Sequence, residues 1–160
     1  MTGRALVSIP GYACAIVLPC CARDIRPMGA LRQRLAGALT PGQTTPGGIF
    51  ISETLLAIQA PGDIAELFLH ESTHWWQCWR RMGVWSYWAT YIWQVILSVF
   101  RLLARRQSLT GVHADQLMER EARAASLNMR EAITELLRIW QPARFDALPW
   151  LTAALPPQRR

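Results

Sequence analysis

At 160 residues the chain suits one compact domain and leaves little room for a second. Half of it is hydrophobic and eight residues are Trp, so it has enough apolar side chains for a core and does not read as disordered. The net charge of +6 rests on 17 arginines and no lysine, which a GC-rich genome explains; they are scattered along the chain, so no nucleic-acid partner is expected.

Residues 1–27 are apolar and broken by Pro10, Gly11 and Pro19, and read as an irregular arm or short packed segments. Arg4 followed by "CAIVLPCCA" faintly resembles an export signal. The Pro and Gly breaks leave it no sustained helical core, so a cytoplasmic location is expected, with export or membrane association as the alternative. Cys14, Cys20, Cys21 and Cys78 include no CxxC pair, and the adjacent Cys20 and Cys21 cannot readily bridge each other. Buried thiols in a reducing compartment are therefore expected, not a disulfide framework or a cysteine-ligated metal.

The main domain is expected over residues 28–142. Met28–Leu39 predicts a first helix, with Leu31, Leu35 and Leu39 at four-residue steps. Pro41–Gly48, "PGQTTPGG", reads as a loop, and Ile49–Ser52 as a short strand that could extend through "ETLLAIQ". A central helix of about five turns should follow. Asp63 fits its N-cap, Glu66 completes a capping box, Arg80 and Arg81 occupy the last turn, and Gly83 is the stop.

Met82–Phe100 is an uncharged run long enough to span a bilayer. Periodicity argues otherwise: Tyr87, Thr90, Tyr91, Gln94, Ser98, Arg101 and Arg105 form one polar stripe. Opposite it lie Trp85, Trp88, Ile92, Ile96, Val99 and Leu103. Such a stripe suits a helix packed in a soluble core or lying on a membrane surface, so peripheral membrane contact through residues 84–105 is kept as a further reading. A last long helix is expected from His113–Asp115 to Trp140, ended by Pro142. Its apolar stripe comprises Met118, Ala122, Ala125, Met129, Ile133, Leu136 and Trp140. Residues 143–160 read as a tail.

The chemistry concentrates in "LFLHESTHWWQCW" (Leu67–Trp79). His70 and His74, four apart, stand one turn above each other, so both imidazoles can reach one metal. Glu71 sits beside that metal without binding it, where it can act as general base toward a water. Ile64, Ala65, Leu67, Phe68 and Leu69 before the motif, and Trp75, Trp76 and Trp79 after it, make a buried helix. Two histidines and a glutamate are costly to bury there without partners. Zn²⁺ is the expected ion, and a catalytic site needs a third protein ligand and an open position. His113, Glu119 and Glu121 are the candidates, and helical geometry alone does not choose among them. Tyr87, Tyr91 and His113 could donate to an oxyanion, but ordinary packing or capping accounts for each.

"LFLHESTHWWQ" followed by "MEREARAA" (Met118–Ala125) resembles the gluzincin class of zinc peptidases, with HExxH on one helix and Glu-x-x-Ala/Ser on a later one. The "HE-x-T-H-x-WQ" form, the aromatic run and the later Glu-x-x-Ala are most similar to small Vgr-related proteins and to the metallopeptidase-like domain found near contractile injection systems. The likeness covers roughly Ile49 to Leu127. It implies Glu119 as third ligand, Ala122 for close approach of the two helices, and the short "GGIFIS" run as the edge strand that pairs with an extended peptide. Many gluzincins have Asp after that Ala, supporting a zinc-binding His and hence full activity; here Arg123 stands instead.

The expected fold is mainly α (α+β), a minimal zincin-like domain with an active-site helix, a later glutamate helix and a short edge strand or hairpin. The expected function is zinc-dependent hydrolysis of a peptide or protein substrate. The alternative is a non-catalytic zinc-binding assembly module with a phage or secretion-system partner.

Overall fold

The computed structural model of the protein describes residues 4–9, 14–20, 22–36, 40–138 and 143–155. Pro10, Gly11, Cys21, Leu39, Trp140, Pro142 and residues 156–160, as well as the side chains of Cys14 and Leu136, lie outside that set. The fold is mainly α with two small sheets, as the sequence predicts.

The arm expected as irregular or as short packed segments carries two short strands. In β1 (Ala5–Ser8) and β2 (Cys14–Leu18), apolar residues alternate in the manner that buries one face of a strand: Ala5, Ile16 and Leu18 are fully covered. The two strands pair antiparallel, and β6 (Ala143–Asp146) from the expected tail lies parallel to β2 on its other side. This sheet thus joins strands from the two ends of the described chain. Arg4 closes its edge with a 2.8 Å ion pair to Asp146.

The second sheet has the order β3-β5-β4: β3 (Ile25–Pro27) runs parallel to β5 (Gly48–Ile51), and β4 (Gly42–Thr45) antiparallel to it. Two expectations change. "PGQTTPGG" is not wholly a loop, because Gly42–Thr45 pairs with Gly48–Ile51 across a tight turn. "GIFI" is the central strand, so the edges of this sheet are β3 and β4. Beyond Ile51 the chain turns into a short helix, α2 (Glu53–Leu56), instead of continuing as strand. Between β3 and β4, α1 (Ala30–Ala36) is shorter than predicted, and its Leu31 and Leu35 face solvent.

The central helix α3 (Pro61–Trp76) starts three residues earlier than Asp63 as N-cap would set it, because Pro61 at its first position has a φ already suited to a helix. Ala60 is the N-cap and makes no side-chain bond. Asp63 and Glu66 accept from Arg130 at 3.0 and 2.6 Å instead of forming a capping box. The helix widens into a π-helical turn over Gln77–Met82 and ends at Gly83, whose φ of +80° a side-chain-bearing residue would resist.

Two long helices follow: α4 (Val84–Ala104) and, after the single turn α5 (Val112–Asp115), α6 (Leu117–Arg138). The predicted last helix is therefore broken, with Gln116 extended at φ −68° and ψ 139°. The main core lies where α3 packs on α6. Ala65, Leu69, Ala122, Met129 and Ile133 are fully buried there, and the small residues allow an interaxial separation of about 8–10 Å. The short α7 (Ala147–Ala154) closes the core through Leu151 and Leu155, and the Leu155 carbonyl accepts from the Trp76 indole at 3.0 Å.

Candidate metal centre

His70 and His74 project from one face of α3 toward the first turn of α6, where Glu119 sits. The two Nε2 atoms are 3.2 Å apart. Glu119 places Oε2 at 3.3 Å from His70 Nε2 and Oε1 at 3.0 Å from His74 Nε2. Ligands about 2.0–2.1 Å from a tetrahedral zinc lie on the order of 3.3 Å from one another, so these spacings match the edges of such a site. His74 and Glu119 are buried and His70 is partly exposed. The three could hold a metal ion.

Of the other two candidates for third ligand, Glu121 is turned away: its Oε2 accepts from Arg81 at 2.6 Å and from Gln77 Nε2 at 3.1 Å. His113 is largely exposed and contacts Glu119 Oε1 through Nε2 at 3.1 Å. The break at Gln116 lets α5 fold His113 back over the start of α6.

The partner that orients His74 comes from a residue the sequence reading gave no role. Gln77 is fully buried; its Nε2 donates to Glu121 and to the Met118 carbonyl at 3.3 Å, which turns Oε1 toward His74. His74 Nδ1 therefore donates to Gln77 Oε1 at 3.0 Å, leaving the Nε2 lone pair for a metal. Arg123, where a gluzincin Asp was expected, is exposed and lines the cleft. The supporting bond is thus supplied from the π-helical turn that continues α3. A helix-period signal existed, since Gln77 lies three residues after His74 on the same face.

Charge in the site follows from this crowding. For Glu119, burial works to raise the carboxyl pKa, but hydrogen bonds with His70 and His74 and the charges of His74 and His113 outweigh it. They hold the group well below the usual carboxylate range. For His74, burial opposes the imidazolium, yet the Glu119 bond and charge, the Glu71 charge and the Gln77 bond raise its pKa above the ordinary value. The ionised carboxylate charge that favours a proton on the His74 imidazole would favour a divalent cation in its place.

Glu71 is buried beside the trio and bears no direct bond to it. Thr44 of β4 fixes its orientation: the hydroxyl lies 2.7 Å from Glu71 Oε2 and 2.9 Å from the Glu71 carbonyl. The other oxygen lies against Gly42, where an added Cβ would come within 2.9 Å of Glu71 Oε1 and of Leu67 Cδ1. Thr44 and Gly42 carry no sequence signal, because only the β4–β5 hairpin brings them to α3.

These groups line a cavity of about 670 Å³, with β4 on one side and Tyr87, Trp88 and Tyr91 of α4 on the other. Tyr87 is buried, and burial followed by the neighbouring Cys78, Glu119, Glu71 and Tyr91 raises its pKa, so its hydroxyl stays protonated.

No family model, curated protein or solved structure matches the chain.

Proposed function

We propose that the chain is a zinc-dependent peptidase. The observation that carries this reading is the convergence of His70, His74 and Glu119 at tetrahedral spacing on a cleft that also holds the oriented carboxylate of Glu71. Two imidazoles and one carboxylate, with a side open to the cleft, are the donor set of catalytic zinc. When bound, zinc supplies Lewis acidity, polarising a carbonyl and making water easier to deprotonate.

The protein's own residues do the rest. Glu71 takes the proton of the attacking water and passes it to the leaving amine, while Thr44 keeps the carboxylate from rotating away. β4 pairs only with β5 among the described residues, so its other edge is open to an extended peptide along the cleft. Tyr87, kept neutral, has a proton to donate to a developing oxyanion.

The test is Glu71→Gln beside wild type on a pool of unstructured peptides. Wild type should cleave, and the variant should bind zinc as well and cut at least about a hundredfold more slowly. Zinc-loaded wild type that cuts nothing would favour the assembly-module reading, and normal cleavage by the variant would remove Glu71 from the mechanism.

A further inference from the structure

The apolar face of α4 points outward. Tyr87, Ser98 and Leu102 are buried against the domain, whereas Trp85, Trp93 and Phe100 are 87%, 59% and 66% exposed. Ile92 and Leu103 join them on the outside. At 1.5 Å per residue, this helix of 21 residues presents an apolar surface about 30 Å long. An uncovered apolar surface of that extent marks an interaction site.

Charge identifies what it meets. Ser72 to Ala114 contains no Asp or Glu but includes Arg80, Arg81, Arg101, Arg105 and Arg106. Arg105 and Arg106 are exposed just past the C-terminal end of α4. A second copy packed in parallel on this face would set these arginines against their own copies, with no carboxylate on the segment to answer them. An anionic lipid surface answers these cations and takes up indole and phenyl rings at the headgroup boundary. No helix among the described residues is long and apolar enough to cross a membrane.

We infer that α4 docks the protein on an anionic lipid surface, lying in the interface with Trp85, Trp93 and Phe100 inserted. Docking does not depend on the zinc chemistry. It bears on substrate all the same: Trp88 of α4 lines the cleft, so a docked protein would hold the cleft mouth beside the lipid, within reach of polypeptides at the membrane surface.

The experiment is flotation of the full chain with vesicles of phosphatidylcholine alone or mixed equally with phosphatidylglycerol. Wild type should float with the mixed vesicles at low salt and lose binding as salt rises, and brominated lipid should quench its Trp emission. Trp93→Glu combined with Phe100→Glu should reduce binding at least about tenfold. Arg105→Gln combined with Arg106→Gln, which leaves the apolar face and core untouched, should weaken binding to the mixed vesicles; this keeps the test valid if the first variant misfolds. Wild type that stays unbound to mixed vesicles at low salt would overturn the inference. So would a dimer that Trp93→Glu with Phe100→Glu turns into monomer, since a second copy would then be the occupant.

Discussion

Replacing Gln77 by Leu keeps the volume of a fully buried side chain and removes three hydrogen bonds: from His74 Nδ1 at 3.0 Å, to Glu121 at 3.1 Å and to the Met118 carbonyl at 3.3 Å. Glu121 keeps Arg81 at 2.6 Å, so the group left orphaned is the His74 Nδ1–H. An unsatisfied buried donor costs about 1–3 kcal/mol, which should appear as lower stability of the metal-free protein. The imidazole also loses the bond that fixes its tautomer and ring plane, and such losses weaken metal binding about 10–100-fold. That is roughly 1.4–2.7 kcal/mol of binding free energy. Competition with a chromogenic chelator measures the zinc Kd directly, and thermal unfolding of the stripped protein measures the stability change. A Kd within about twofold of wild type would refute the claim that Gln77 replaces the missing carboxylate support.

Two further predictions follow from the packing. Gly42→Ala should push Glu71 off its position, since the new methyl meets Glu71 Oε1 and Leu67 Cδ1 at 2.9 Å; kcat should fall at least about tenfold with zinc affinity unchanged, because a misplaced base affects the transition state and not the ligands. Burial pushes the Cys78 thiol up to about 11, so at pH 8 the thiolate fraction is on the order of one in a thousand. Native protein should therefore resist alkylation at Cys78 until the pH approaches that value or the chain unfolds, as mass spectrometry of labelled peptides would show.

What could be read from the sequence was chemistry held within one helix. HExxH fixes its own geometry through the 3.6-residue period, so His70, Glu71 and His74 were legible without any knowledge of the fold. Glu119 needed a likeness to known enzymes, since the period of α6 leaves Glu119 and Glu121 equally placed. The structure separates them: Glu121 is paired with Arg81 and Gln77, and Glu119 with His70 and His74. Thr44 and Gly42 were hidden because a hairpin brings them across 27 residues or more to Glu71.

The outward faces of α4 and α1 share a cause. Amphipathicity divides a helix into two faces without saying which one the protein covers. On α4 the polar stripe turns inward because it is used: Gln94 accepts from the Met118 backbone N–H at the start of α6, and Tyr87 and Tyr91 line the cleft. On α1 the same ambiguity left Leu31 and Leu35 in solvent. The β1-β2-β6 sheet was missed because its strands come from opposite ends of the chain, and no local pattern announces a long-range pairing.

The central claim is that His70, His74 and Glu119 together bind one zinc. Its most direct test is metal content by mass spectrometry of the purified protein, measured beside Glu119→Ala and Glu121→Ala. About one zinc per chain in wild type, nearly as much in Glu121→Ala and little in Glu119→Ala is the expected result. Equal zinc in wild type and Glu119→Ala, or none in wild type after zinc loading, would contradict it.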